Sequence, residues 1–129
     1  MDSDNTFYIE YYTKSNGIKP AQEFLQELKS KRDLYGLAYA GIDKLKNGSN
    51  HGMPLTRKIG KELFELRPNR IRIMFCFSKA KSSTIVLLCG NIKVSGKTKE
   101  KDLDFAKKCL GDYRLHEQTK KAGSKIYEK

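Results

Sequence analysis

The clearest hydrophobic pattern in the chain lies in residues 62–92. Within residues 70–78, Ile71, Ile73, Phe75 and Phe77 alternate with Arg70, Arg72, Met74 and Cys76. That is the period of a strand with one buried face, so the arginines point away from the most apolar layer. In residues 62–67, Phe64 and Leu66 share one face while Leu63, Glu65 and Arg67 share the other. Pro68-Asn69 stands between the two runs. Proline, with its φ fixed negative, cannot take the first central position of a type I′ hairpin turn. The reading is therefore a four-residue loop over residues 68–71, built on a type I turn with Pro68 second, which sets Arg67 opposite Arg72 with the apolar faces in phase. Facing arginines repel by about 0.2–1 kcal/mol. A bound phosphate would reverse that sign.

The flanking pattern supplies the other elements. Residues 6–13 (TFYIEYYT) are β-branched and aromatic and predict a strand closed by Asn16-Gly17. Pro20 opens a helix with Ala21, Phe24, Leu25 and Leu28 on one stripe. Asp33 can cap a second helix with Leu34, Leu37, Ala38, Ile42 and Leu45 on its stripe, stopped at residues 46–48. The two adjacent helices predict a hairpin covering one side of the sheet, with Tyr35 and Tyr39 spent on packing. Residues 47–54 are a loop holding His51, which is either solvated or a general base. Residues 84–89 are almost wholly apolar and predict a central strand that Gly90 breaks. Residues 91–98 are then a lysine-bearing loop, and Thr98 is an N-cap for a helix with Leu103, Ala106, Leu110 and Tyr113 on its stripe. The order is β-α-α-β-β-β-α: an α+β fold, mainly antiparallel, with an N-terminal helical hairpin and a C-terminal helix. Residues 1–113 form one domain, and residues 114–129 a basic polar, partly disordered tail.

Charge sharpens this picture. Residues 1–56 hold seven Lys/Arg and seven Asp/Glu, so the whole excess of the +11 chain lies in residues 57–129. Such asymmetry suits one electropositive side, as in nucleic-acid binders, although a lysine-rich solvated surface would give the same count. Three cysteines at long spacings (Cys76, Cys89, Cys109) and two histidines make no metal-ligand pattern, and each cysteine falls inside an apolar-periodic element. Nothing points to a cofactor. There is no apolar run of signal-peptide or membrane-span length, so a soluble cytoplasmic protein is expected.

Several pieces, in this order and spacing, carry a resemblance: GMP at 52–54, ELFELR at 62–67, RIRIMF at 70–75, IVLLCGNIK at 85–93, KT at 97–98 and AKKCLGDY at 106–113. Over residues 7–113 the chain resembles the Gp49-like HigB branch of the RelE/ParE toxin superfamily. The resemblance implies a RelE-like compact domain, the toxin of a type II toxin–antitoxin pair, neutralised by a HigA-like helix-turn-helix antitoxin and cleaving mRNA on the ribosome without metal. It also implies that the fold is shared with gyrase-poisoning ParE proteins, so fold alone does not choose the target. Three alternatives stay open at this point: endoribonuclease, non-nuclease inhibitor of DNA gyrase, and inactive basic binding module.

Cutting RNA requires a deprotonated 2′-OH, in-line alignment, stabilised phosphate charge and a protonated leaving oxygen. Arg67 and Arg72 suit the third task, because a guanidinium holds two phosphate oxygens and stays charged. The resemblance matches Arg72 to the stabilising basic residue of the middle strand and Arg67 to a second strand arginine. Lys93 and Lys97 are candidates for clamping phosphate or transferring protons. Lys58, Lys61, Arg70 and Lys99 are assigned to RNA backbone binding. The chain departs from RelE in having Leu63 and Glu65 where RelE has strand lysines, and Asp102 in place of a C-terminal tyrosine, so the match names no general base. Glu65 is either that base or an ion-pair partner. Arg72→Ala is expected to leave the fold intact and remove toxicity.

Overall fold

The structure, a computed structural model, describes residues 6–48, 54–93 and 99–127, with side chains as far as residue 117. Its elements are β1 (Tyr8–Tyr11), α1 (Pro20–Glu27), a 3-10 turn (Leu28–Ser30), α2 (Arg32–Asn47), β2 (Thr56–Gly60), β3 (Leu63–Leu66), β4 (Ile71–Phe77), β5 (Thr84–Ile92) and α3 (Glu100–Tyr127). The strands make one sheet in the order β1-β5-β4-β3-β2. It is antiparallel except where β1 runs parallel to β5.

The class is α+β as expected, but the expected order is one strand short. The missed strand is β2, TRKIG, with adjacent Arg57 and Lys58 exposed and a closing glycine. An edge strand of that kind has too little apolar alternation to read from sequence. The N-terminal helices also depart from a plain hairpin, because a 3-10 turn intervenes, and α1 meets β5 through Phe24 while α2 meets the β3–β4 turn through Gly41. In α1, Phe24 lies against β5: a Cβ built at Gly90 would overlap the Phe24 ring. Gly90 is therefore no strand break, since β5 continues to Ile92 and the missing side chain makes room for the helix. In α2 the buried stripe is Leu34, Ala38, Gly41, Ile42 and Leu45, with Leu37 left 39% exposed. Gly48, at φ 71, ends that helix and donates its N–H to the Leu45 carbonyl.

Both faces of the sheet are covered. One packs Leu66, Ile71, Ile73 and Phe75 under α1 and α2. The other packs Leu63, Met74, Cys76 and Val86 under Ala106, Cys109 and Tyr113 of α3. A bulge after Met74 shifts the β4–β5 pairing, from Met74 with Cys89 to Phe75 with Leu87. The extra residue lets Leu88 and Cys89 both join the α3-side core. The three cysteines are buried and free of disulfides.

The middle of α3 is tied down by Glu117. Its carboxylate accepts from the Ser78 hydroxyl (2.6 Å), the Lys79 and Ala80 amides (2.9 and 3.0 Å) and Arg114 Nη1 (3.0 Å). Burial alone would raise this carboxyl, but those donors outweigh it and hold the pKa at about 2. Arg114 also pairs with Glu62, so α3, the β4–β5 turn and the β2–β3 turn are tied together.

Candidate functional site

The arginines are placed by the β3–β4 turn. Ile71 donates its N–H to the Pro68 carbonyl at 3.0 Å, and Asn69 has φ 57. The central pair is thus Asn69-Arg70, a two-residue turn, and the expected four-residue loop with Pro68 second is wrong. Asparagine tolerates the left-handed conformation that proline cannot adopt, so Pro68 moves back to the first corner. Asn69 further accepts the Arg70 N–H on Oδ1 at 2.8 Å.

The register expectation survives, because both loops keep the strands in phase. Leu66 faces Ile73, and the next pair outward is Arg67 with Arg72. Arg67 donates its N–H to the Leu55 carbonyl and Lys93 donates its N–H to the Arg70 carbonyl, each at 2.7 Å. The turn is therefore held from both neighbouring segments. Pro68 is buried, and a Cβ added to Gly41 of α2 would come within 2.9 Å of its Cγ.

Arg72 is only 7% exposed, and its Nη1 donates to the carbonyls of Asn69 (2.7 Å) and Ile71 (2.8 Å). It anchors the turn from inside. Burial lowers its pKa, opposed by Glu65 and assisted by repulsion from Arg67 and Arg57. Glu65, 1% exposed, lies between these cations, with Oε1 at 3.5 Å from Arg67 Nε. Arg57 sits across from Glu65 in the β2–β3 register. Sequence reading missed Arg57 because it missed β2. One carboxylate among three guanidinium groups leaves a cationic cluster suited to an anion.

Of the other expected site residues, Arg70 is exposed at the turn and the Lys93 backbone is bonded beside it. Lys97 and His51 lie outside the described residues. Lys99 is exposed ahead of α3, its carbonyl accepting the N–H groups of Asp102 and Leu103. Lys58 is not gathered with the arginines: it pairs in register with Phe64, on the α1/α2 face, its ammonium 5.9 Å from the Phe64 ring centroid. Lys61 lies in the β2–β3 turn, at the opposite end of β3 from Arg67.

This hairpin falls inside a family match that spans residues 23–110, to the model for phage-derived protein Gp49-like (DUF891). The chain belongs to that Gp49-like family. The family is part of the RelE/ParE-like toxin superfamily and is associated with toxins of toxin–antitoxin systems, which implies an antitoxin partner. No curated protein matches the chain. Among the described residues, no helix of this Gp49-like protein is long and apolar enough to cross a membrane, and no His/Cys/Asp/Glu group is arranged to hold a metal.

The Gp49-like chain also has a cleft of about 310 Å³ between the end of β1 and α3, lined among others by Tyr12, Tyr113, Lys81 and His116. Its polar groups are largely spent on one another. Tyr12 donates to Asp112 (2.5 Å), Lys81 pairs with Glu10 (2.9 Å), and His116 lies 3.5 Å from Asp112. The arginine cluster is the better candidate for chemistry.

Proposed function

We propose that this Gp49-like protein is a HigB-type toxin of a type II toxin–antitoxin pair that cleaves mRNA on the ribosome, with a HigA-like antitoxin as its partner. The observation that carries the reading is the pairing of Arg67 with Arg72 at a turn held from both sides, with Arg57 and Arg70 beside it. Attack of a ribose 2′-OH on the adjacent phosphorus adds charge to the phosphate oxygens. Fixed guanidinium groups are complementary to that charge and need no reorganisation as it develops.

The roles divide by exposure. Arg67 contacts the scissile phosphate, flanked by Arg57 and Arg70. Arg72, already committed to two carbonyls, holds the turn and adds its field from below. Lys93 and Lys97 clamp the phosphate or move protons, and Lys99 supplies charge along the RNA backbone, whereas Lys58 and Lys61 lie apart from the arginines and take no part in this site. The test is 5′-end mapping of a message in a purified translation system, beside naked RNA and beside a gyrase supercoiling assay. New ends that require ribosomes support the reading. Intact message with inhibited supercoiling would replace it with ParE-like gyrase inhibition, and neither effect would leave a basic binding module.

A further inference from the structure

A carboxylate with 1% exposure, set among Arg57, Arg67 and Arg72, calls for an explanation. Glu65 lies on the strand face shared by Leu63 and Arg67, between Arg57 on β2 and Met74 on β4. Its Oε1 is 3.5 Å from Arg67 Nε, and its charge acts on Arg72 against the repulsion of Arg67 and Arg57. An acid buried to this degree is poorly placed to take a proton from a ribose hydroxyl. It is well placed to keep like charges together.

We infer that Glu65 is a positioning residue: its buried carboxylate fixes Arg67 and lets Arg57, Arg67 and Arg72 share one face, so that the cluster is preformed before RNA arrives. This rests on the endoribonuclease reading for its consequence and on the geometry alone for its cause. Without Glu65 the three guanidinium groups keep their charge but lose the group that opposes their repulsion. Arg67 would then move, although the local charge would be one unit more positive. Binding of RNA and cleavage of RNA should therefore part company. Affinity holds or improves while the chemical step slows, because misplacement of a stabilising group costs the transition state more than the ground state.

The experiment is a cycle of Glu65→Gln, Arg67→Ala and the double variant. Each is measured for single-turnover cleavage on programmed ribosomes, affinity for that complex, and thermal unfolding. Glu65→Gln should cleave at least ten-fold more slowly with affinity equal or tighter, and Glu65→Asp should recover part of the rate. Adding Glu65→Gln to Arg67→Ala should cost less than Glu65→Gln costs on its own, since Glu65 acts largely through Arg67. A double variant slowed by the full product of the two single effects would overturn the inference and mark Glu65 as an independent group such as the base. Cleavage by Glu65→Gln at the wild-type rate would also overturn it. If Glu65→Gln does not fold, Glu65→Asp decides: slower cleavage at unchanged affinity supports positioning, and the wild-type rate refutes it. If wild-type protein cuts no message, the endoribonuclease reading fails separately. Glu65 is then judged by the ¹⁵N spectrum, where Glu65→Gln or Glu65→Asp must shift the Arg67 Nε–H signal and an unmoved signal overturns the inference.

Discussion

Pro68, at the first corner of the arginine turn, sits against Gly41 of α2 so closely that a Cβ at Gly41 would lie 2.9 Å from its Cγ. A helix on one face thereby sets the position of the turn that carries Arg67 and Arg72.

Gly41→Ala should consequently disturb the site from a distance. Replacing glycine inside a helix gains up to about 1 kcal/mol of propensity. Overpacking against a rigid proline costs about 1–3 kcal/mol, so the net effect is a modest loss of stability. The expected result is a melting temperature lower by a few degrees, with a larger proportional loss of cleavage. An unchanged melting temperature and unchanged cleavage would mean that Pro68 yields freely.

Gly90→Ala should be costlier, because the added methyl overlaps the Phe24 ring in the core between α1 and β5. About 1–3 kcal/mol of destabilisation is expected. Shortening the ring in the same molecule, with Phe24→Leu, should recover part of it. Thermal unfolding of the two single variants and the double variant measures this coupling, and strictly additive losses would contradict the contact.

These two contacts show what sequence could and could not tell. The long alternation of β4 revealed its faces, and phase between two apolar runs revealed that Arg67 meets Arg72. The turn type was not legible, because it depends on Asn69 rather than Pro68 accepting a positive φ. Gly90 read as a strand end because glycine usually punctuates strands, and only the Phe24 ring shows its other use. Arg57 was hidden in a short edge strand. Burial of Glu65 and Arg72 was equally hidden, since it depends on elements packed around a strand whose local pattern reads as polar.

Glu117 gives a pH prediction. Its folded pKa, about 2, lies below the ordinary 4.5. The stabilisation is therefore full above about pH 4.5 and is lost as pH falls toward about 2. Glu117→Gln should be less stable than wild type by about 2–3 kcal/mol at neutral pH. The gap should close across that acid window in thermal melts. A gap independent of pH would mean that the carboxylate charge contributes nothing.

Arg72 should prove to be both structural and functional. Arg72→Ala withdraws donors from two turn carbonyls, at about 1–3 kcal/mol, so the loss of toxicity expected from sequence should come with a lower melting temperature. Arg72→Lys keeps the charge without the planar fork and should fall between. Melts and growth assays of both variants check this. An Arg72→Ala protein as stable as wild type would contradict the anchoring role.

The central claim is that the arginine turn cleaves mRNA, and Arg67→Ala tests it most directly, because Arg67 is paired with Glu65 while the turn itself is anchored by Arg72. The measurement is single-turnover cleavage of a defined message on the ribosome by wild type and Arg67→Ala, each shown to be folded. The account predicts cleavage by wild type and a loss of about 10²-fold or more in the variant. Equal cleavage by a folded Arg67→Ala protein would contradict it.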